Sequence, residues 1–160
     1  MEMNEKEVLD LIKSGEKFLL KAKMENCPAC DAFAPVWDKV SKELKDYKFI
    51  DFLLPKVSTD GAEFKRVYMK PSFQGEKIGA PAVFLFENGQ LMFRHFSGMG
   101  EEELKVLMTT TPEQRIENAK ASLANLYLRR GQLTFQHEQF LKEMPQVDAG
   151  IKEISEFLGT

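Results

Sequence analysis

CPAC, residues 27–30, places both cysteines of a 160-residue chain on one turn of backbone, with only Pro28 and Ala29 between them. Two thiols at this spacing can close a disulfide with each other, share a metal ion, or stand near a helix start with no joint role. Downstream, Phe33, Val36, Trp37, Val40 and Leu44 recur at three and four. That spacing predicts a helix starting near Asn26 or Cys27, ending before Lys48 and kinked at Pro35. Upstream, Phe18-Leu19-Leu20 with Ala22 reads as a short strand running into the cysteines. CPAC therefore occupies a strand-to-helix junction. A helix N-terminus exposes unpaired N–H groups and about half a positive charge, so a thiol at Cys27 ionises more easily and becomes the better nucleophile. Cys30, one turn deeper on the same face, is placed to attack a mixed disulfide formed at Cys27. Pro28 has no N–H to waste in the first turn.

Around this junction the remaining periods give an order of elements. Val8, Leu9, Leu11 and Ile12 among charges predict a helix over residues 4–13, stopped by Ser14-Gly15, with no strand before it. Residues 49–54 read as a strand that Pro55 ends. Residues 60–69 read as a helix and residues 71–75 as a loop. Asn88-Gly89 between the apolar runs 82–86 and 91–96 predicts a hairpin with a type I′ turn. Gly98 and Gly100 lead into Glu101-Glu102-Glu103, an acidic helix start that suits the helix dipole. The first 110 residues thus read α-β-α-β-α-β-β-α.

Length and charge narrow the class. One core commonly takes about 100–150 residues, so a single domain with an appendage fits and two full domains do not. An apolar share of 43% with 13 phenylalanines supports a buried core. A net charge of −3, with both signs interspersed, argues against nucleic-acid or polybasic membrane partners. The charged first residues and the lack of any long apolar run lead to the expectation of a cytoplasmic, reducing location. There a lone C-x-x-C belongs to redox chemistry or a metal site. Only His95 and His137 could join two thiolates around zinc, which normally takes four ligands, so no metal is expected. His95 reads as a structural histidine, and Trp37 and the phenylalanines as packing.

With these residues in place, the chain resembles the thioredoxin superfamily over roughly its first 110 residues. The resemblance runs through Cys27-Pro28-Ala29-Cys30, Ala34-Pro35 with Asp38, Gly79-Ala80-Pro81, the segment 84–90 and Gly98. It implies an α/β thioredoxin-like fold, a central mixed sheet flanked by helices. It also implies a thiol–disulfide oxidoreductase acting on protein disulfides, with Cys27 as attacking and Cys30 as resolving thiol. Pro28, Ala29, Ala80 and Pro81 would then face the substrate, and Ala80-Pro81 would be a cis peptide. No separate cofactor is implied beyond the redox-active pair, although Ser97-Gly98-Met99-Gly100-Glu101 is similar to the glutathione-binding segment of glutaredoxins. The chain departs from thioredoxins in Asn26 where they have tryptophan, and in Pro28-Ala29 where they have Gly-Pro. Proline directly after the first cysteine is more like glutaredoxins. Thioredoxins also bury an aspartate beneath the second cysteine, and here that position is Lys21. Because a buried lysine is expensive, Lys21 is expected to reach solvent or to support a thiolate, and Lys21 with Lys23 reads as a solvated strand end. Asp31 should disfavour the thiolate.

Residues 111–160 form a helical extension that thioredoxins lack. Thr111-Pro112-Glu113-Gln114 combines a capping threonine, a first-turn proline and a glutamine three after the cap. From Ile116 to Met144 a three-four alternation runs through Ala119, Leu123, Leu126, Arg130, Leu133, His137 and Phe140. Pro145 should end or kink the run. Val147, Ile151, Ile154, Phe157 and Leu158 then read as a second amphipathic helix, and Gly131 leaves a turn at residues 129–132 open. A coiled-coil-like helix or a helical hairpin follows. Its seam would pack on the protein's own sheet or dock a second copy or another protein, making a thioredoxin-fold adapter the alternative to an enzyme.

Overall fold

A computed structural model describes residues 1–54 and 62–158, the side chains of residues 153–155, 157 and 158 excepted. The elements are β1 (Glu2–Met3), α1 (Glu5–Ser14), β2 (Phe18–Met24), α2 (Pro28–Glu43), β3 (Lys48–Leu54), α3 (Ala62–Tyr68), β4 (Ala82–Glu87), β5 (Gln90–His95), α4 (Glu101–Thr109) and α5 (Pro112–Leu158). The five strands form one sheet in the order β1-β3-β2-β4-β5. β3 pairs in parallel with β1 and β2, while β4 runs antiparallel to both β2 and β5. This is a mixed sheet flanked by helices.

Both faces of the central strands are covered, which is why β4 from Ala82 to Phe86 and the start of β2, Phe18-Leu19-Leu20, are continuously apolar; Lys21 and Lys23 interrupt the rest of β2. On β2, Phe18, Leu20 and Ala22 join Val8 and Ile12 of α1 and Phe64 of α3 in one cluster. Leu19 points the other way, to Phe33, Trp37 and Val40 of α2 and Leu104 and Met108 of α4. On that second side, Lys39 reaches Glu101 and Lys105 reaches Glu43, each at 2.6 Å, so two ion pairs join α2 to α4.

Local chemistry sets the ends of α1 and the hairpin. Asn4 caps α1 by accepting the Glu7 N–H at 3.0 Å, while Glu7 accepts the Asn4 N–H at 2.8 Å. Gly15 closes the helix at φ +81° and donates its N–H to the Ile12 carbonyl. Asn88 and Gly89 have φ of +53° and +75°, the paired left-handed geometry of a type I′ turn.

Two expectations are corrected. A strand does precede the first helix: β1 pairs with the β3 edge, and the Asp51 N–H bonds the Met1 carbonyl at 2.8 Å. Two residues carry no period, so only the partner strand makes them visible. The extension is one helix, with neither a turn at residues 129–132 nor a break at Pro145. Pro145 removes the hydrogen bond to the Leu141 carbonyl, but Leu141 is exposed, and water can take that acceptor. Within the expected helix 60–69, α3 spans Ala62–Tyr68; Asp60 and Pro55 lie outside the described residues, as do the side chains of Ile154, Phe157 and Leu158. The chain divides into two compact units, Met1–Thr110 and Thr111–Thr160. No helix among the described residues is long and apolar enough to cross a membrane.

Candidate functional site

β2 delivers the chain to a turn at Glu25 and Asn26. Asn26 adopts φ +52°, a left-handed conformation that asparagine tolerates better than most residues, and this redirects the backbone into α2. Cys27 is the N-cap of α2, with Pro28 next. Its Sγ accepts the Cys30 N–H at 3.2 Å, so the first thiol satisfies one of the orphan donors of the helix. Cys27 and Cys30 are joined as a disulfide, with Cα atoms 5.2 Å apart. Cys27 is half-buried, Cys30 is 6% exposed, and Pro28 and Ala29 between them are open to solvent. The sulfur nearer the surface is therefore the one at the helix start.

The Ala80-Pro81 peptide is cis. Ala80 is half-buried, Pro81 is buried, and the Ala80 carbonyl oxygen lies 3.7 Å from Cys27 Sγ. Residues 27–30 and residues 80 and 81, separated by half the domain in sequence, thus meet at one edge. Gly98 packs against Phe33 of α2: a Cβ there would stand 3.2 Å from the Phe33 ring, so any larger residue would have to displace that ring by a few tenths of an ångström. Asp31 is exposed. His95 is also exposed, its ring 6.4 Å from that of Phe93, and no cluster of three metal-ligating side chains occurs among the described residues.

Lys21 does not reach solvent. It is 4% exposed, with Nζ 2.7 Å from Asp51 Oδ1 and 5.1 Å from the centre of the Trp37 ring. The parallel register of β2 and β3 sets Lys21 directly beside Asp51. Asp51 Oδ1 receives no hydrogen bond of good angle, so the contact is one of charge more than of directed bonding. The Met1 amine, 3.9 Å from Asp51, adds a second positive charge. Lys23 is one-third exposed and pairs with Glu2 at 2.8 Å; that hydrogen bond raises its pKa against a smaller opposing effect of burial.

Two residues escaped the sequence reading. Asp51 is the buried partner of Lys21, and its only signal was a carboxylate in an otherwise apolar strand. Arg94 is the other. Its guanidinium donates to the Tyr68 and Lys70 carbonyls at 3.0 and 2.7 Å and to the Ser72 hydroxyl, and it reaches Glu76 at 3.0 Å. One side chain of β5 thereby organises the irregular segment that leads to Pro81.

No known family's sequence pattern matches the chain, and no curated protein matches it. Solved structures do. Thioredoxin f2 of Chlamydomonas reinhardtii is 14% identical with a TM-score of 0.53, the match covering 67% of this chain and 91% of that one. Thioredoxin f from spinach chloroplast is 15% identical with a TM-score of 0.53, covering 67% and 88%. Mitochondrial thioredoxin 3 of Saccharomyces cerevisiae, in its oxidized form, is 20% identical with a TM-score of 0.51, covering 68% and 92%. With a mixed five-stranded sheet flanked by helices and these structural neighbours, the chain has a thioredoxin-like fold.

Proposed function

We propose that this protein is a thiol–disulfide oxidoreductase acting on protein disulfides in a reducing compartment such as the cytoplasm. The observation that carries the reading is the pairing of Cys27 and Cys30 at the start of α2, with the half-buried sulfur outermost and the buried one behind it. In the reduced protein the Cys27 thiolate attacks one sulfur of a substrate disulfide. A mixed disulfide forms and the other substrate sulfur leaves as a thiolate, which takes up a proton. The Cys30 thiolate then attacks Cys27 Sγ, closing the Cys27–Cys30 disulfide and releasing the second substrate thiol. Two electrons pass from the protein to the substrate, and a second dithiol must return them; the same steps reversed oxidise a dithiol. Pro28 and Ala29 on one side and Ala80 on the other are the lips against which the substrate chain lies, with the buried Pro81 fixing Ala80 in place.

In this scheme the N–H of Cys30 and the helix dipole favour the Cys27 thiolate, Lys21 adds to this only so far as Asp51 leaves its charge uncompensated, and Asp31 opposes it. Insulin-disulfide reduction tests the assignment. Cys27→Ser should abolish it and Cys30→Ser should accumulate the mixed disulfide, whereas turnover that survives Cys27→Ser overturns the reading. Asp31→Asn should speed alkylation of the reduced Cys27 at neutral pH by a factor of about 5 or less, the size of one solvent-screened charge contact.

One observation favours a second reading. Large apolar side chains of α5, Leu126 and Phe140 among them, are more than half exposed, as in an adapter that docks through residues 111–160. Absence of any disulfide exchange in the insulin assay, together with association in solution, would favour the adapter.

A further inference from the structure

α5 runs unbroken for 47 residues, about 70 Å at 1.5 Å per residue. Because it is one helix, the three-four alternation that begins at Ile116 does not stop at Met144: Val147 and Ile151 continue it in phase across Pro145. Pro145 itself falls on the opposite side from this seam. Leu123, Leu126, Leu133, Phe140, Val147 and Ile151 on the seam are each more than half exposed. A heptad seam of this length is built for another helix. The charges beside it decide which helix.

We propose that α5 pairs with α5 of a second copy of this chain as an antiparallel coiled coil, centred at the level of Phe135. In that register Leu133 packs on His137 of the second copy, Arg130 on Phe140, Leu126 on Met144 and Leu123 on Val147. The flanking positions then bring Arg129 to Glu143 and Lys120 to Asp148, and the two-fold axis makes each of these pairs twice. Tyr127 meets Leu141, and no like charges face one another at these positions. Arg130, whose guanidinium already lies 5.2 Å from the Tyr127 ring centre, gains the Phe140 ring of the second copy as a further cation–π partner.

The parallel in-register pair fails on the same residues. Arg130 would oppose Arg130 and His137 would oppose His137 across the seam. On its flanks Arg115 would lie beside Lys120, and Glu143 beside Asp148, so every charged contact has the wrong sign. One sequence thus carries both the attraction that selects the antiparallel dimer and the repulsion that rejects the parallel one.

The test uses the full chain. Sedimentation equilibrium at micromolar concentration should give twice the 18.3 kDa chain mass. In a background with Cys27 and Cys30 replaced by serine, Leu126→Cys and Met144→Cys chains should form a covalent dimer when mixed and oxidised, and neither should do so alone. Two copies of residue 126 would be about 27 Å apart along the antiparallel pair, far beyond disulfide reach. Arg129→Glu should weaken association about tenfold, since two attractive contacts become repulsive, and Arg129→Glu with Glu143→Arg should restore it. Helical circular dichroism and the emission of Trp37 report whether each variant is folded. A monomer, a mass above the dimer, association only with a different protein, efficient cross-linking of Leu126→Cys with itself, or no rescue by the charge exchange would each overturn the proposal.

Discussion

Lys21 places an ammonium group against Trp37 of α2 with its side chain 5% exposed, and Asp51 is what makes that tolerable. The two partners are not equivalent. Asp51 keeps 19% of its side chain exposed and has the Met1 amine at 3.9 Å, so it retains solvent and a second cation if Lys21 is lost. Lys21 has no comparable reserve. Asp51→Ala should therefore cost about 3–5 kcal/mol, as expected for an uncompensated buried charge. Lys21→Met, which keeps an apolar stem against Trp37, should cost about 1–2 kcal/mol. Urea unfolding of the two variants decides it, and an Asp51→Ala variant no less stable than Lys21→Met contradicts this account. Lys21 was singled out in the sequence, yet its burial was not legible, because burial depends on the neighbouring strand. A lysine near a strand end reads as solvated until the register with β3 is known.

Among the elements, β5 shows how one side chain orders a segment lacking a regular fold of its own. Arg94 donates to two carbonyls of the chain after α3 and to Ser72, and pairs with Glu76, whose side chain is 18% exposed. Ser72 in turn donates its N–H to the same Glu76 oxygen at 2.6 Å. Removing the guanidinium takes a donor from the part-buried Tyr68 carbonyl and leaves the part-buried Glu76 carboxylate without its cation. Arg94→Ala should lower stability by about 2–3 kcal/mol and raise hydrogen exchange at residues 69–76 while leaving β2 protected. Arg94→Lys should recover little, since an ammonium cannot reach four separated acceptors as a planar fork does. Unchanged exchange at residues 69–76 in Arg94→Ala would refute the role. No local pattern marks this network: arginine in an exposed-edge strand is ordinary, and its partners lie 18–26 residues away.

For the whole molecule, the two units differ in where their stability originates. Residues Met1–Thr110 bury both faces of a sheet, while α5 carries its apolar residues exposed. Trp37, the only tryptophan, is buried in the first unit and reports on that unit alone. If α5 gains stability from a second copy, its helical circular dichroism at elevated temperature should rise over a roughly hundredfold range of chain concentration, while Trp37 emission stays constant. Helicity that is independent of concentration would place the stability of α5 within the single chain.

The sequence by itself determined whatever depends on neighbours a few residues apart. The three-four spacing behind Cys27, the helix stop at Ser14-Gly15, the Asn88-Gly89 turn and the seam of α5 are all local, and each is readable because helices and hairpins repeat at fixed short periods. Tertiary structure decided what depends on partners distant along the chain. β1 exists only because β3 offers it an edge, Lys21 is buried only because the register sets Asp51 beside it, and Cys27 faces Ala80 only because β2 and β4 are neighbours. Even the continuity of α5 through Pro145 belongs here, since a proline's cost in a helix depends on whether the carbonyl it frees can find water. Periodicity encodes which face of an element is apolar; which element covers that face is settled by packing, where contacts between remote residues compete against the entropy of bringing them together.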